Sequence, residues 1–138
     1  MPNTIAHVIG NYSEPAKEAF AKLRNILLEE AKLHHLGDIE ESLKWGEPSF
    51  KSKHGSPVRI HWRDKDPEII SIYVNCQSKL LDTYRQLYPD TFVYMGNREL
   101  QVQLAKPLAE TALRHCFNIA MNYHKLKDKP LLGQTPKA

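Results

Sequence analysis

The sequence predicts an α+β domain: an antiparallel sheet of five to six strands, with helices from the N- and C-terminal parts of the chain packed on one face. Three observations predict it. Apolar residues recur at helical spacing in two long stretches near the chain ends. Between these stretches, short runs alternate apolar and polar residues with a period of two. Gly, Pro, Asn and Asp separate those runs, which suits tight antiparallel connections rather than long crossovers.

The first element is a helix over 13–35. Ser13 can accept a hydrogen bond as N-cap, and Glu14 and Pro15 follow in the first turn, where a carboxylate favours the helix dipole and proline loses no hydrogen bond. Ala16, Phe20, Leu23, Leu27, Ala31 and His34 form its apolar stripe, with Glu18, Lys22, Glu29 and Lys32 off it. Gly37 is the expected residue just past the helix end. Leu43 and Trp45 then alternate with Ser42 and Lys44 until 46–48 breaks the run.

Val58, Ile60 and Trp62 alternate with Arg59, His61 and Arg63, a half-buried strand that Asp64–Pro67 turns into the next one, 69–74. Ile70, Ile72 and Val74 share the inward face of that strand. A short helix over 78–87 follows, with Leu80, Leu81, Tyr84 and Leu87 inward. A strand over 91–95, a turn at Gly96 and Asn97, and a strand carrying Leu100, Val102 and Leu104 complete the sheet. Pro107 opens the last helix, which runs to about residue 126 with Ala109, Ala112, Leu113, Cys116, Ile119, Ala120 and Tyr123 as its stripe.

With 138 residues the chain reads as a single domain over 1–138, with 1–12 and 127–138 peripheral or partly disordered. A hydrophobic share of 41% and a charged share of 25% are those of a globular protein that needs no staple to fold. The two cysteines, Cys76 and Cys116, read as reduced thiols, which places the protein in the cytoplasm. The first ten residues carry no Lys or Arg, which argues against a signal peptide, and no apolar run has the length of a membrane span. A net charge of +3 is mild and gives no strong hint of a nucleic-acid partner, which is therefore not the first expectation.

Seven histidines are scattered without a zinc spacing, and no nucleophile elbow or phosphate-cradling loop is present, so no residue is assigned a catalytic role. The residues with most binding potential lie on the face of the sheet away from the helices. Lys44, Lys51, Arg59, His61, Arg63, Tyr73 and Gln101 are expected there together, a basic face with one aromatic ring.

Four ordered stretches resemble one family. Glu40-Glu41-Ser42-Leu43-Lys44-Trp45-Gly46-Glu47-Pro48-Ser49-Phe50 is similar to the signature of the bacterial YdhG-like domain family, a family of unknown function. Val74-Asn75-Cys76-Gln77, Tyr94-Met95-Gly96-Asn97-Arg98 and Tyr123-His124-Lys125-Leu126-Lys127 match it in the same order. The resemblance implies a frataxin-like α+β fold. It also implies a proposed iron-chaperone role, with iron held weakly by surface carboxylates and an iron–sulfur assembly partner. No metal ligands are carried over residue by residue.

Three expectations follow. The first is a small binding or carrier protein for iron, resting on the resemblance and on the acids between 14 and 41. The second is an interaction module that takes an acidic partner or nucleic acid on the basic sheet face. The third, ranked last, is an enzyme using Glu47, His61 or Arg98. Trp45, Glu47, Arg59, His61, Arg63, Tyr73 and Arg98 are the candidate ligand- or partner-binding residues. The chain is expected to be a monomer or a weak homodimer formed through an exposed strand edge.

Overall fold

The computed structural model describes residues 1–135. Helix α1 (Asn3–Ile9) precedes the long helix α2 (Glu14–Leu33). Four strands follow: β1 (Glu40–Lys44), β2 (Glu47–Lys51), β3 (Val58–His61) and β4 (Ile69–Tyr73). Then come α3 (Leu80–Leu87), β5 (Val93–Met95), β6 (Glu99–Gln103), α4 (Glu110–Met121), α5 (Tyr123–Leu126) and a 3-10 turn (Pro130–Gly133). All six strands form one antiparallel sheet in the order β1-β2-β3-β4-β6-β5.

Local chemistry explains most boundaries. Ser13 Oγ accepts from the Ala16 amide at 3.3 Å and starts α2 as an N-cap. The end of α2 differs from expectation: His35, not Gly37, is the first left-handed residue, at φ 55°. His35 N–H donates to Lys32 O at 3.3 Å and Leu36 N–H to Ala31 O at 2.9 Å, the two bonds of a Schellman motif. His34, expected on the apolar stripe, is exposed as the C-cap and meets Glu30 at 3.0 Å.

The run ending at Trp45 is also corrected. Trp45 and Gly46 form the two-residue turn of a β1–β2 hairpin, at φ 56° and 75°, the backbone of a type I′ turn. Proline was expected to break this region, yet Pro48 sits inside β2 opposite Leu43. The β2–β3 ladder begins one residue later, at Ser49↔Arg59 and Phe50↔Val58, so the missing N–H of Pro48 costs no rung there. At the other hairpin, Gly96 takes a positive φ of 62°.

The core is continuous. The alternation in β3, β4 and β6 sends Val58, Ile60, Ile70, Ile72, Leu100 and Val102 inward, all under a tenth exposed. They meet the stripes of α2, α3 and α4, where Phe20, Leu23, Tyr84, Leu113 and Phe117 are buried. Burial of this kind contributes about 1.5–3 kcal/mol per large apolar side chain. Tyr94 hydroxyl donates to Tyr84 O and Tyr88 O, at 3.0 and 2.7 Å, closing the C-terminal end of α3 onto β5.

Both segments expected to be peripheral belong to this core. Ile5 is fully buried, and Ile9 and Tyr12 join it. At the other end Leu132 is fully buried in the 3-10 turn, and His115 bridges Tyr88 and Gln134 at 2.6 and 2.8 Å. The expectation for 136–138 lies outside the described residues. The last helix is shorter than expected, starting at Glu110 and breaking at Asn122 before α5. Its C-terminal carbonyls are closed by the loop before β3: Ser52 Oγ donates to Met121 O at 2.6 Å and Ser56 N–H to Ala120 O at 2.9 Å. Gly55 permits this approach, because a Cβ there would lie 2.8 Å from Met121 Cα. Among the described residues no helix is long and apolar enough to cross a membrane.

Candidate functional site

Register sets which side chains share the second face of the sheet. Ser42, Ser49, Arg59, Tyr73 and Glu99 form one row across it, and His61, Ser71 and Gln101 the next. Within this face Ser49, Ser71 and Tyr73 are buried. The face is not uniformly basic as expected. Glu47 Oε1 accepts from Arg59 Nη1 at 2.5 Å, and the Arg59 guanidinium lies 4.9 Å from the Tyr73 ring centre. Glu99 Oε2 accepts from Ser71 Oγ at 2.7 Å and from Gln101 Nε2 at 3.1 Å.

Beside this network is a cleft of about 250 Å³, lined by Lys44, Trp45, Pro57, Arg59, Val74, Asn75, Cys76 and Arg98. Arg59 is held by Glu47 and Tyr73, so its charge is placed and largely balanced. Lys44 and Arg98 are exposed, and among the described residues neither meets a carboxylate within salt-bridge distance. Trp45 is 91% exposed at the tip of the hairpin. Its left-handed backbone costs an L residue about 1–2 kcal/mol, and Trp has no local hydrogen bond to offset it. Its indole gains almost no burial in exchange.

The seven candidate residues divide. Trp45, Arg59 and Arg98 line the cleft, and Glu47 and Tyr73 support Arg59 from outside it. His61 and Arg63 lie elsewhere, lining a neighbouring cavity of about 350 Å³ with Tyr12 and Trp62. There the Tyr12 hydroxyl and His61 Nδ1 are 2.7 Å apart. Burial, reinforced by Arg63 and Arg59 and opposed by Glu47, holds the His61 imidazole below its ordinary value. Burial likewise raises the Tyr12 and Tyr73 hydroxyls. Arg63 reaches Asp66 at 3.7 Å. Of the residues weighed for an enzyme, Arg98 lines the first cleft, His61 the second, and Glu47 neither.

Asn75 and Cys76 were not among the candidates, although they lie in a stretch that carries the family resemblance. That stretch, the Trp45 stretch and the Arg98 stretch all meet at this cleft. Tyr12 had no signal beyond its place before the N-cap. Cys116 is buried, and desolvation raises its thiol far above the ordinary range, so it is a core residue.

The acids invoked for iron are largely engaged with cations. Glu14 meets Lys17, Glu18 meets Lys22, Glu41 meets Arg24 through two bonds of 2.7 and 2.9 Å, and Glu29 meets Arg114. Glu30 is buried beside Asn118 and Arg114. Among the described residues no three His, Cys, Asp or Glu side chains are grouped to hold a metal ion. Comparison with protein-family models, curated proteins and solved structures gave no match.

Proposed function

We propose that this protein is a binding domain that takes an anionic ligand with a flat face into the cleft beneath Trp45. The observation that carries this is Trp45 itself, a large aromatic held 91% exposed on strained backbone beside two cations that meet no carboxylate among the described residues. Backbone strain with no packing return points to use by a ligand. The indole offers a stacking surface, Lys44 and Arg98 offer charge, and Asn75 offers a hydrogen-bonding amide. Arg59, already oriented by Glu47, forms the floor.

Fluorescence tests this directly, since Trp62, the other tryptophan, is buried. Uridine monophosphate should quench the solvent-exposed emission of Trp45, and Arg98→Glu should abolish the quench without lowering stability. Absence of quenching at millimolar nucleotide, or a quench unchanged in the Arg98 variant, refutes the reading. The iron-carrier expectation is a separate proposal resting on the family resemblance. Anaerobic ferrous titration followed by NMR tests it, and no response from any Glu or Asp between 14 and 41 would end it.

A further inference from the structure

Six basic side chains gather at the end of the sheet next to the cleft. His124 N–H donates to His54 O at 2.9 Å, which brings α5 against the loop before β3. Lys79 N–H donates to the Tyr123 hydroxyl at 3.2 Å, and Lys79 Nζ to Lys127 O at 3.0 Å. Desolvation, with Lys125 and Lys53 close beside it, disfavours protonation of His54. All six residues, Lys53, His54, Lys79, His124, Lys125 and Lys127, are exposed. Among the described residues none of them meets a carboxylate within salt-bridge distance.

Two short segments join this patch to the cleft. Asn75 lines the cleft, and Lys79 follows four residues on, so their Cα atoms are at most about 14 Å apart. The link is held: Gln77 N–H donates to Asn75 Oδ1 at 2.8 Å and Ser78 Oγ to Asn75 O at 2.6 Å. Pro57 also lines the cleft, three residues after His54 and within about 11 Å of it. An exposed aromatic ring therefore stands at one end of a cationic path only a few nucleotides long.

Resting on the cleft reading, we infer that the ligand is single-stranded nucleic acid, one base stacked on Trp45 and the following phosphates running over Lys79, Lys125 and Lys127. An acidic protein partner fits less well. Protein interfaces bury an apolar centre, whereas among the described residues Trp45 is the one exposed large apolar side chain that lines this path. A duplex fits less well too, because its bases are stacked on each other and cannot reach an indole.

The test uses the whole protein and a labelled eight-nucleotide oligouridylate, with uridine monophosphate as the short probe. The oligomer should bind at least about tenfold more tightly than the monophosphate. With the three phosphates over Lys79, Lys125 and Lys127 neutralised, log K should fall against log salt with a slope of about −2.1. The double variant Lys125→Glu/Lys127→Glu should lose that gain and flatten the slope, while quenching of Trp45 by the monophosphate persists. If the oligomer gains nothing over the monophosphate, or the double variant binds it unchanged, the path is refuted and the cleft reading stands. If neither probe quenches Trp45, the cleft reading fails, and this inference with it. Equal affinity for polyglutamate or for duplex RNA overturns the assignment to single strands.

Discussion

Replacing Trp45 with Asn should stabilise the protein, which is the opposite of what removing a large aromatic normally does. At φ 56° an ordinary L residue is disfavoured by about 1–2 kcal/mol, and Asn, whose side chain bonds locally in this region, recovers much of that. Against this stands the apolar burial that is lost. With Trp45 91% exposed, roughly 20 Å² of its surface leaves water, about 0.5 kcal/mol at about 25 cal/mol per Å². The net expectation is a gain of about 0.5–1 kcal/mol, and about 2–4 °C in melting temperature for a chain of this size. Urea denaturation of both proteins, fitted with a common m-value, reads the difference. The variant should also lose binding in the cleft, so stability and binding move in opposite directions. A Trp45→Asn protein less stable by 1 kcal/mol or more would refute the reasoning, because it would show that the indole is held by packing.

Three further outcomes are expected. Gly55→Ala should destabilise by about 2 kcal/mol, since the added Cβ meets Ala120 O and Met121 Cα below 3.0 Å and must push the loop off the end of α4; an unchanged denaturation midpoint would contradict it. Leu132→Ala should cost about 2–4 kcal/mol, because the side chain is fully buried despite its place near the chain end, and a neutral result would mean that the tail does not hold to the core. For pH, the folded state keeps His61 neutral below its ordinary value of about 6.5, so between the two the unfolded chain binds more protons. His61's contribution to stability is therefore full above about pH 6.5 and is lost as pH falls from there; His61→Gln should reduce the drop between pH 7.5 and 5.5, and equal drops in both proteins would count against it.

The strands and helices that the sequence made legible are those governed by nearest neighbours. Ser13 and the stripe from Ala16 to Ala31 predicted α2, and the alternation around Val58, Ile60, Ile70 and Ile72 predicted the central strands and their inward face. Errors fell where a longer-range partner decides the outcome. Pro48 looked like a break because its missing N–H is costly in a ladder, but the ladder to β3 starts beyond it. His35 ends α2 ahead of Gly37 because the carbonyls of Ala31 and Lys32 are closed there. Leu132 looked peripheral because a tail has no periodicity to betray its burial. The cleft was legible only in pieces: Trp45, Arg59 and Arg98 were each chosen, but bringing them together with Asn75 needs the strand register. That the sheet face is not uniformly basic was hidden for the same reason, since Glu47 and Glu99 are laid among the cations by cross-strand pairing.

The way the hairpin is attached has a consequence for how the cleft can work. Residues 40–51 pair closely with each other and join the rest of the sheet at Ser49↔Arg59 and Phe50↔Val58, with the Arg59–Glu47 and Arg24–Glu41 pairs, the buried Phe50 ring and α1 alongside. If this edge unit opens at a lower free energy than the whole domain, its amides exchange with solvent by partial rather than global unfolding. Lys44 and Trp45 ride on this unit, whereas Arg59, Asn75 and Arg98 belong to the slab it opens from. Any occupant touching both sides closes the seam. Its affinity is then set in part by the closed population of the hairpin, and its binding slows the hydrogen exchange in β1 and β2 that proceeds through the opened hairpin.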